Sequence, residues 1–398
     1  EYADTDALRE LLMKTIYMER IRIKEDPWKV DPPDDRSFWK KLQQEVYNAS
    51  TQLQPEQART VYKELLHRII HRYSEEIVAT FKIKTFLFAR KFLTFFFSRL
   101  LNAASARRFR NLFRSKVKLY ERLQARGEIE LVRSLMSKGT VVVLPTHFSN
   151  LDSILVGYVM DAVLGLPSFS YGAGLNLLNS GIPAYYINRI GAYRVDRRKK
   201  NPIYLKVLKS FSNASIQRGT NSLFFPGGTR SRDGSIETRL KMGLLGTTVE
   251  AQRIMLNEGR SEKVFIVPVV LGYNVVLEAK FLIEQHLKRT GREKYLRSKD
   301  QFYSTRQILK FVWNLFSKNS TITTSFGKPM DVLGNFVDAE GRSFDRFGRE
   351  VDIREYFVTE GVVTADRQRE REYTKLLSER IVERYFKENI VLPSHLAA

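Results

Sequence analysis

Apolar residues recur every three to four positions through the first seventy residues. Leu8, Leu11, Leu12, Ile16 and Ile21 predict an amphipathic helix over 4–24. Residues 26–35 hold three prolines and read as a turn. A second helix begins near Ser37 with Phe38, Trp39, Leu42 and Val46, and Pro55 suits the first position of a third that runs through Leu65, Ile69 and Ile70. From residue 140 the pattern changes to short apolar runs alternating with helical stretches. Strands are predicted at 141–144, 168–171, 190–195, 222–225, 264–271 and 321–326. A helix beginning after Ser149 or Asn150 would bury Leu151, Ile154, Leu155, Tyr158 and Val159. Further helices are predicted at 202–218, 244–256, 305–317 and 367–387, the last with Leu376, Leu377, Ile381, Val382, Tyr385 and Phe386 as its stripe. Residues 334–350 are polar and glycine-containing, and no internal repeat is evident. This alternation predicts an α/β fold, a mixed, mostly parallel sheet flanked by helices, with an N-terminal helical domain. The division expected is a helical, membrane-associating region over 1–125 and an α/β catalytic domain with a C-terminal extension over 126–398.

Charge narrows the partners. The 398 residues include 66 Lys and Arg against 44 Asp and Glu, a net charge of +22, so an anionic partner is expected. The excess is concentrated between Ile77 and Tyr120, where no acidic residue occurs and Phe81, Phe86, Phe88, Phe92, Phe95, Phe96 and Phe97 alternate with Lys82, Lys84, Arg90, Lys91, Arg99 and the 107–118 basic cluster. Three readings stay open for this segment: the boundary of an anionic bilayer, a bundle helix whose basic stems snorkel, or a single-stranded nucleic-acid surface. The absence of cysteine excludes disulfides, thiolate metal sites and a Cys nucleophile. No run of about twenty uncharged apolar residues is present, so no spanning helix is predicted. The first residue is Glu1 rather than Met, so the start says nothing about targeting.

Three strand ends carry candidate chemistry. In TVVVLPTHFSNLD, residues 140–152, a buried strand stops at Pro145, His147 falls in the loop, and Asp152 falls in the first helical turn. His147 suits a base near neutral pH, with Asp152 fixing its tautomer and stabilising the imidazolium. Five histidines make this spacing arise by accident in about a quarter of comparable chains. The rival reading therefore has His147 bonding to backbone and Asp152 serving only the helix dipole. The second strand end, IGAYRVDRR at 190–198, supplies Arg194, Arg197 and Arg198. The third, FFPGGTRSRDG at 224–234, supplies Gly227, Gly228, Thr229, Arg230, Ser231 and Arg232. Small residues let a backbone approach an anion, and guanidiniums and hydroxyls donate to phosphate oxygens. A solvated turn is the alternative reading of GGTRSRDG.

In this order the stretches resemble the glycerol-3-phosphate and lysophosphatidic acid acyltransferase superfamily, and most of all its bacterial glycerol-3-phosphate acyltransferase branch. The His-x4-Asp box matches His147 to Asp152. The block of a Gly before a strand ending in Arg matches Gly191 to Arg197, the F-x-E-G-x-R-S-R block matches Phe225 to Arg232, and the V-P-V block matches Val267 to Val269. Lys241 and Gly243 match a Lys-x-Gly that often follows the third block. The resemblance covers roughly 139–275, with further likeness at 326–332 and 373–396. It implies an enzyme that moves a fatty acyl group from acyl-CoA or acyl carrier protein to the sn-1 hydroxyl of glycerol-3-phosphate, giving lysophosphatidic acid in the first step of phospholipid synthesis. His147 would be the general base and Asp152 its orienting carboxylate. Arg194, Arg197, Gly228, Thr229, Arg230, Ser231, Arg232 and Lys241 would bind phosphate. No metal and no cofactor beyond the acyl co-substrate are implied, and no nucleic acid is expected. The expected location is the cytoplasmic face of a membrane, peripheral or interfacial.

Two departures from the pattern matter. Relatives carry Glu, associated with acceptor binding, where this chain has Gly227, and some carry Arg where it has Asp196. Acylation of a lysophospholipid or another phosphorylated polyol is the nearest alternative, and a basic nucleic-acid- or membrane-binding protein the non-enzymatic one. With no Cys and no G-x-S-x-G elbow, direct transfer in a ternary complex is favoured over an acyl-enzyme.

Overall fold

A computed structural model describes residues 4–28, 30–105, 123–149, 152–167, 169–175, 189–231, 234–273 and 322–392. The chain forms two compact units, one of 1–86 with 172–212 and one of 87–171 with 213–398.

The smaller unit is built on three helices, α1 (Thr5–Glu25), α2 (Asp35–Gln52) and α3 (Pro55–Ile77). Asp4 caps α1, its carboxylate accepting from the N–H groups of Asp6 and Ala7. Leu8, Leu12, Ile16, Trp39, Leu42, Leu65, Ile69 and Tyr73 form the buried seam, whereas Ile21 and Ile70 lie at its exposed edge. A buried polar cluster crosses the bundle. Glu19 pairs with Arg22 at 2.8 Å, and accepts from Tyr73 Oη and Asn201 Nδ2, each at 2.8 Å. Charges this buried need such partners, because each would otherwise carry its full desolvation cost.

In the larger unit the strands are β1 (Leu123–Gly127), β2 (Gly139–Pro145), β3 (Ser170–Gly174, which runs past the unit boundary), β5 (Ser222–Leu223), β6 (Lys263–Tyr273) and β7 (Ile322–Phe326). The smaller unit holds β4 (Ala192–Val195). The sheet of the larger unit runs β1-β7-β6-β2-β5-β3, parallel at every pairing except β6 with β7. This is the mixed, mostly parallel sheet expected from the sequence. The unbroken apolar run of β2 follows from burial on both faces. Val141 and Val143 pack into the core on one side, Val142 and Leu144 into the core on the other.

The first face is covered by α5 (Ile129–Leu135), by α6 (Asp152–Tyr158) with the π-helical turn Val159–Val163 that continues it, and by Leu93 of α4 (Ile83–Ser105). The other is covered by α8 (Met242–Asn257) and α9 (Arg367–Glu388), while α7 (Pro202–Gln217) joins the two units' sequence ranges. Tyr385 of α9 donates to the Leu144 carbonyl at 2.9 Å, pinning that helix to β2.

Some expectations shift. The buried stripe of α9 is Thr374, Leu377, Ile381 and Tyr385, while Leu376 and Phe386 are exposed, because one narrow face meets the core. Residues 334–350 form short strands β8 (Phe336–Val337), β9 (Ser343–Phe344) and β10 (Glu350–Val351). Their two turns repeat a D-x-x-G-R unit the sequence reading missed. Asp338 and Asp345 each accept from the backbone N–H and the Nε of an Arg four residues on. A further hairpin pairs β11 (Val358–Thr359) with β12 (Val362–Val363). The predicted helix at 305–317, the cap candidate Asn150, and the basic residues at 107–118 lie outside the described residues.

Candidate active site

The site begins where β2 ends. Thr146 holds the strand end to β6, donating its N–H to the Val269 carbonyl at 2.9 Å and accepting from the Leu271 N–H through Oγ1 at 3.0 Å. The chain then turns through His147, Phe148 and Ser149 before α6 starts at Asp152. That carboxylate is fully buried and reaches back into the loop. Its Oδ2 accepts from His147 Nδ1 at 2.8 Å, from the Phe148 N–H at 2.6 Å and from the Ser149 N–H at 2.8 Å. Its Oδ1 accepts from the Tyr273 hydroxyl at the end of β6. Asp152 therefore caps the loop and binds the imidazole at once, which joins the two rival readings rather than choosing between them.

The contact selects the tautomer with the proton on Nδ1, leaving the Nε2 lone pair for chemistry. The His147 side chain is 12% exposed and its ring stacks on Phe225, with centroids 4.2 Å apart. Phe225 belongs to the third block, so the His-x4-Asp loop and the 225–231 loop meet. The Ser231 N–H donates to the His147 carbonyl at 2.7 Å, and the His147 N–H donates to Glu237 Oε1 at 2.9 Å. Both backbone groups of the candidate base are thus held, one by the third block and the other by the segment that follows it.

Within that block, Phe225 to Gly228 is a turn closed by the Gly228 N–H on the Phe225 carbonyl at 3.1 Å. Gly228 sits at φ +75°, a conformation that side chains other than glycine rarely adopt. A Cβ there would lie 2.8 Å from Lys241 Nζ, so the ammonium of Lys241 overhangs this glycine. Lys241 also donates its backbone N–H to the Pro226 carbonyl at 2.8 Å and stands at the N-cap of α8. Gly228, Lys241 and the first turn of α8 therefore lie together, with half-buried Arg230 and exposed Thr229 on the same loop. This combination of small residues, cationic side chains and a helix start suits a phosphate. Arg232 lies outside the described residues.

The arginines of the second block belong to the smaller unit. Arg194 is held within it, its Nη2 donating to the Glu75 carbonyl at 2.5 Å and the Val78 carbonyl at 2.8 Å at the end of α3. Arg198 engages Asp196 and Asp31, and Arg197 is exposed.

Two residues of the site escaped the sequence reading, Tyr273 and Glu237. Burial pushes the Glu237 carboxyl up to about 7, aided by the Asp152 charge and opposed by the His147 N–H. Its Oε2 is buried with no hydrogen-bond partner among the described residues. Among those residues no cluster of three His, Cys, Asp or Glu side chains could hold a metal ion.

The family model for an acyltransferase domain matches residues 114–272, which contain all four blocks. A glycerol-3-phosphate acyltransferase of Pseudomonas paraeruginosa is 26% identical over 283 residues, 71% of this chain and 30% of that one. One from Aeromonas hydrophila is 29% identical over 271 residues, 67% of this chain and 29% of its own length. The chain thus spans less than a third of these relatives. A crystal structure of the 1-acyl-sn-glycerophosphate acyltransferase PlsC from Thermotoga maritima aligns over 95% of this chain at 12% identity, with a TM-score of 0.30, too low to bear on the argument. With the four blocks in order, and the first and third of them joined around His147, residues 114–272 match an acyltransferase domain, and the chain is similar to bacterial glycerol-3-phosphate acyltransferases.

Proposed function

We propose that this chain transfers a fatty acyl group from an acyl thioester to the sn-1 hydroxyl of glycerol-3-phosphate, giving lysophosphatidic acid. The observation that carries the proposal is the imidazole of His147, bound through Nδ1 to a fully buried Asp152 and locked against the third block. A thioester is already activated, so the enzyme needs to remove one proton and hold two partners together. Nε2 of His147 takes the proton from the acceptor hydroxyl as the oxygen attacks the thioester carbonyl, and the thiolate leaves with the proton returned to it. Asp152 stabilises the imidazolium between these steps. Gly228, Thr229, Arg230, Ser231 and Lys241 receive the acceptor's phosphate.

Membrane association is supported by α4. Along it Phe88, Phe92 and Phe95 recur at helical spacing and are 52–59% exposed, with exposed Lys84 and Lys91 on the same face. The opposite side of the same helix packs inward through Leu93, and Thr94 accepts from the Tyr158 hydroxyl at 3.1 Å. Bulky apolar and basic side chains on one outward surface suit the boundary of an anionic leaflet, such as the cytoplasmic one. No helix among the described residues is long and apolar enough to cross a membrane. Gly227, in place of the usual Glu, keeps a lysophospholipid acceptor as the second reading. Supplying radiolabelled glycerol-3-phosphate and lysophosphatidic acid separately, with an acyl-CoA or an acylated carrier protein, tests both. Product from glycerol-3-phosphate supports the proposal, product from lysophosphatidic acid alone supports the second reading, and product from neither refutes acyl transfer.

A further inference from the structure

Gly227 and Glu237 are a matched pair. The backbone of Gly227 has an ordinary φ, so a side chain could grow from it, but its Cβ would lie 2.7 Å from Glu237 Cγ and 2.9 Å from Glu237 Oε1. The glutamate side chain occupies the volume that a side chain at position 227 would need. From there its Oε1 accepts the His147 backbone N–H at 2.9 Å, ninety residues away in sequence. The other backbone group of His147, its carbonyl, is held by the Ser231 N–H, so the base is gripped from both sides by one loop.

We propose that Glu237 is a positioning residue for acyl transfer: it supplies, from ahead of α8, the carboxylate that cannot be carried at position 227, and fixes His147 through its backbone N–H. The inference rests on the acyl-transfer reading for its kinetic consequence, and on geometry alone for the grip on His147. A purely structural role fits poorly. One oxygen, Oε2, is buried with no partner among the described residues, and burial raises the group's affinity for a proton. A buried carboxylate that carries a folding penalty and touches the backbone of a candidate base fits a role at the site better than one in the fold alone.

The test uses the full chain at pH 8 with four proteins: wild type, Glu237→Ala, Glu237→Gln and the relocation variant Gly227→Glu with Glu237→Ala. Glu237→Ala is expected to lower kcat for transfer to glycerol-3-phosphate by about thirtyfold, the scale for a displaced catalytic group, with Tm unchanged or raised. Glu237→Gln, whose amide oxygen can still accept the His147 N–H, should stay within about threefold of wild type. The relocation variant should recover at least about half of the logarithmic loss. Wild-type kcat in Glu237→Ala, or Glu237→Gln as slow as Glu237→Ala, overturns the proposal. So does a folded relocation variant no faster than Glu237→Ala. Amide hydrogen exchange at His147 gives a readout that needs no turnover. Exchange at least about tenfold faster in Glu237→Ala but not in Glu237→Gln supports the grip, and equal protection in all variants overturns it. An inactive wild type with this exchange pattern would defeat acyl transfer while leaving the positioning contact in place.

Discussion

Replacing Asp152 by Asn separates a carboxylate that acts on His147 through its charge from one that only holds the 147–149 loop. In the wild-type site Oδ2 accepts three hydrogen bonds and Oδ1 accepts one, from a hydroxyl that can rotate. An Asn side chain can therefore set its oxygen at the Oδ2 position and its NH2 toward Tyr273, whose hydroxyl then accepts. The loop geometry survives, and only the charge is lost. Opposite unit charges about 4 Å apart attract by about 4 kcal/mol at an effective dielectric near 20. Replacing the charged hydrogen bond by a neutral one loses about 1–2 kcal/mol as a lower bound. A loss of about 2–4 kcal/mol in the transition state corresponds to a fall in kcat of about thirtyfold to a thousandfold. The KM for glycerol-3-phosphate should stay within about threefold, and Tm should drop by only a few degrees. Asp152→Ala, by contrast, takes the acceptor away from two backbone N–H groups and a hydroxyl, about 1–3 kcal/mol each, and should unfold the loop. Steady-state kinetics with purified Asp152→Asn, alongside its melting curve, decides the matter. Wild-type kcat in a folded Asp152→Asn would reduce Asp152 to a cap and refute its role toward His147.

Three further outcomes follow from the same geometry. Because burial raises the Glu237 carboxyl from an ordinary 4.5 to about 7, the folded state binds its proton more tightly than the unfolded chain. The resulting penalty is absent below about pH 4.5, grows between about 4.5 and 7, and is complete above, reaching about 3 kcal/mol. The stability of Glu237→Gln relative to wild type should therefore rise across that window in pH-dependent melting curves, and parallel curves would contradict it. Arg230→Ala should raise the KM for glycerol-3-phosphate by about tenfold to a hundredfold with kcat nearly unchanged, the cost of a charge-assisted contact to phosphate, and an unaltered KM would remove Arg230 from the phosphate site. Phe88→Ser combined with Phe92→Ser should weaken flotation with vesicles containing anionic lipid by about thirtyfold or more, with activity on a soluble short-chain acyl thioester retained. Undiminished flotation would assign membrane contact elsewhere.

How much of this site a sequence can disclose depends on how far apart its partners lie in the chain. The His147 loop was legible because its determinants are local: a β-branched run, a proline at its end, capping residues and an apolar helical period. Tyr273 and Glu237 were not, since their contacts to Asp152 and His147 close loops of 121 and 90 residues, and neither belongs to a local pattern. β1, LQARG, is too short and too polar to read as a strand, and takes its form from parallel pairing with β7. In α9 the sequence showed more apolar residues than one face can bury. Only contact with the sheet selects Leu377, Ile381 and Tyr385 over Leu376 and Phe386. The arginines proposed to bind phosphate were the least determinate, because a guanidinium after a strand serves the protein's own carbonyls as readily as a substrate. Arg194 does so.

The most direct measurement is the turnover of His147→Ala with glycerol-3-phosphate and an acyl thioester, on protein whose circular dichroism and melting temperature match wild type. Loss of the base should cut kcat by at least roughly a hundredfold while the acceptor still binds. A folded His147→Ala that acylates at close to the wild-type rate would show that the imidazole facing Asp152 is not the group that activates the hydroxyl.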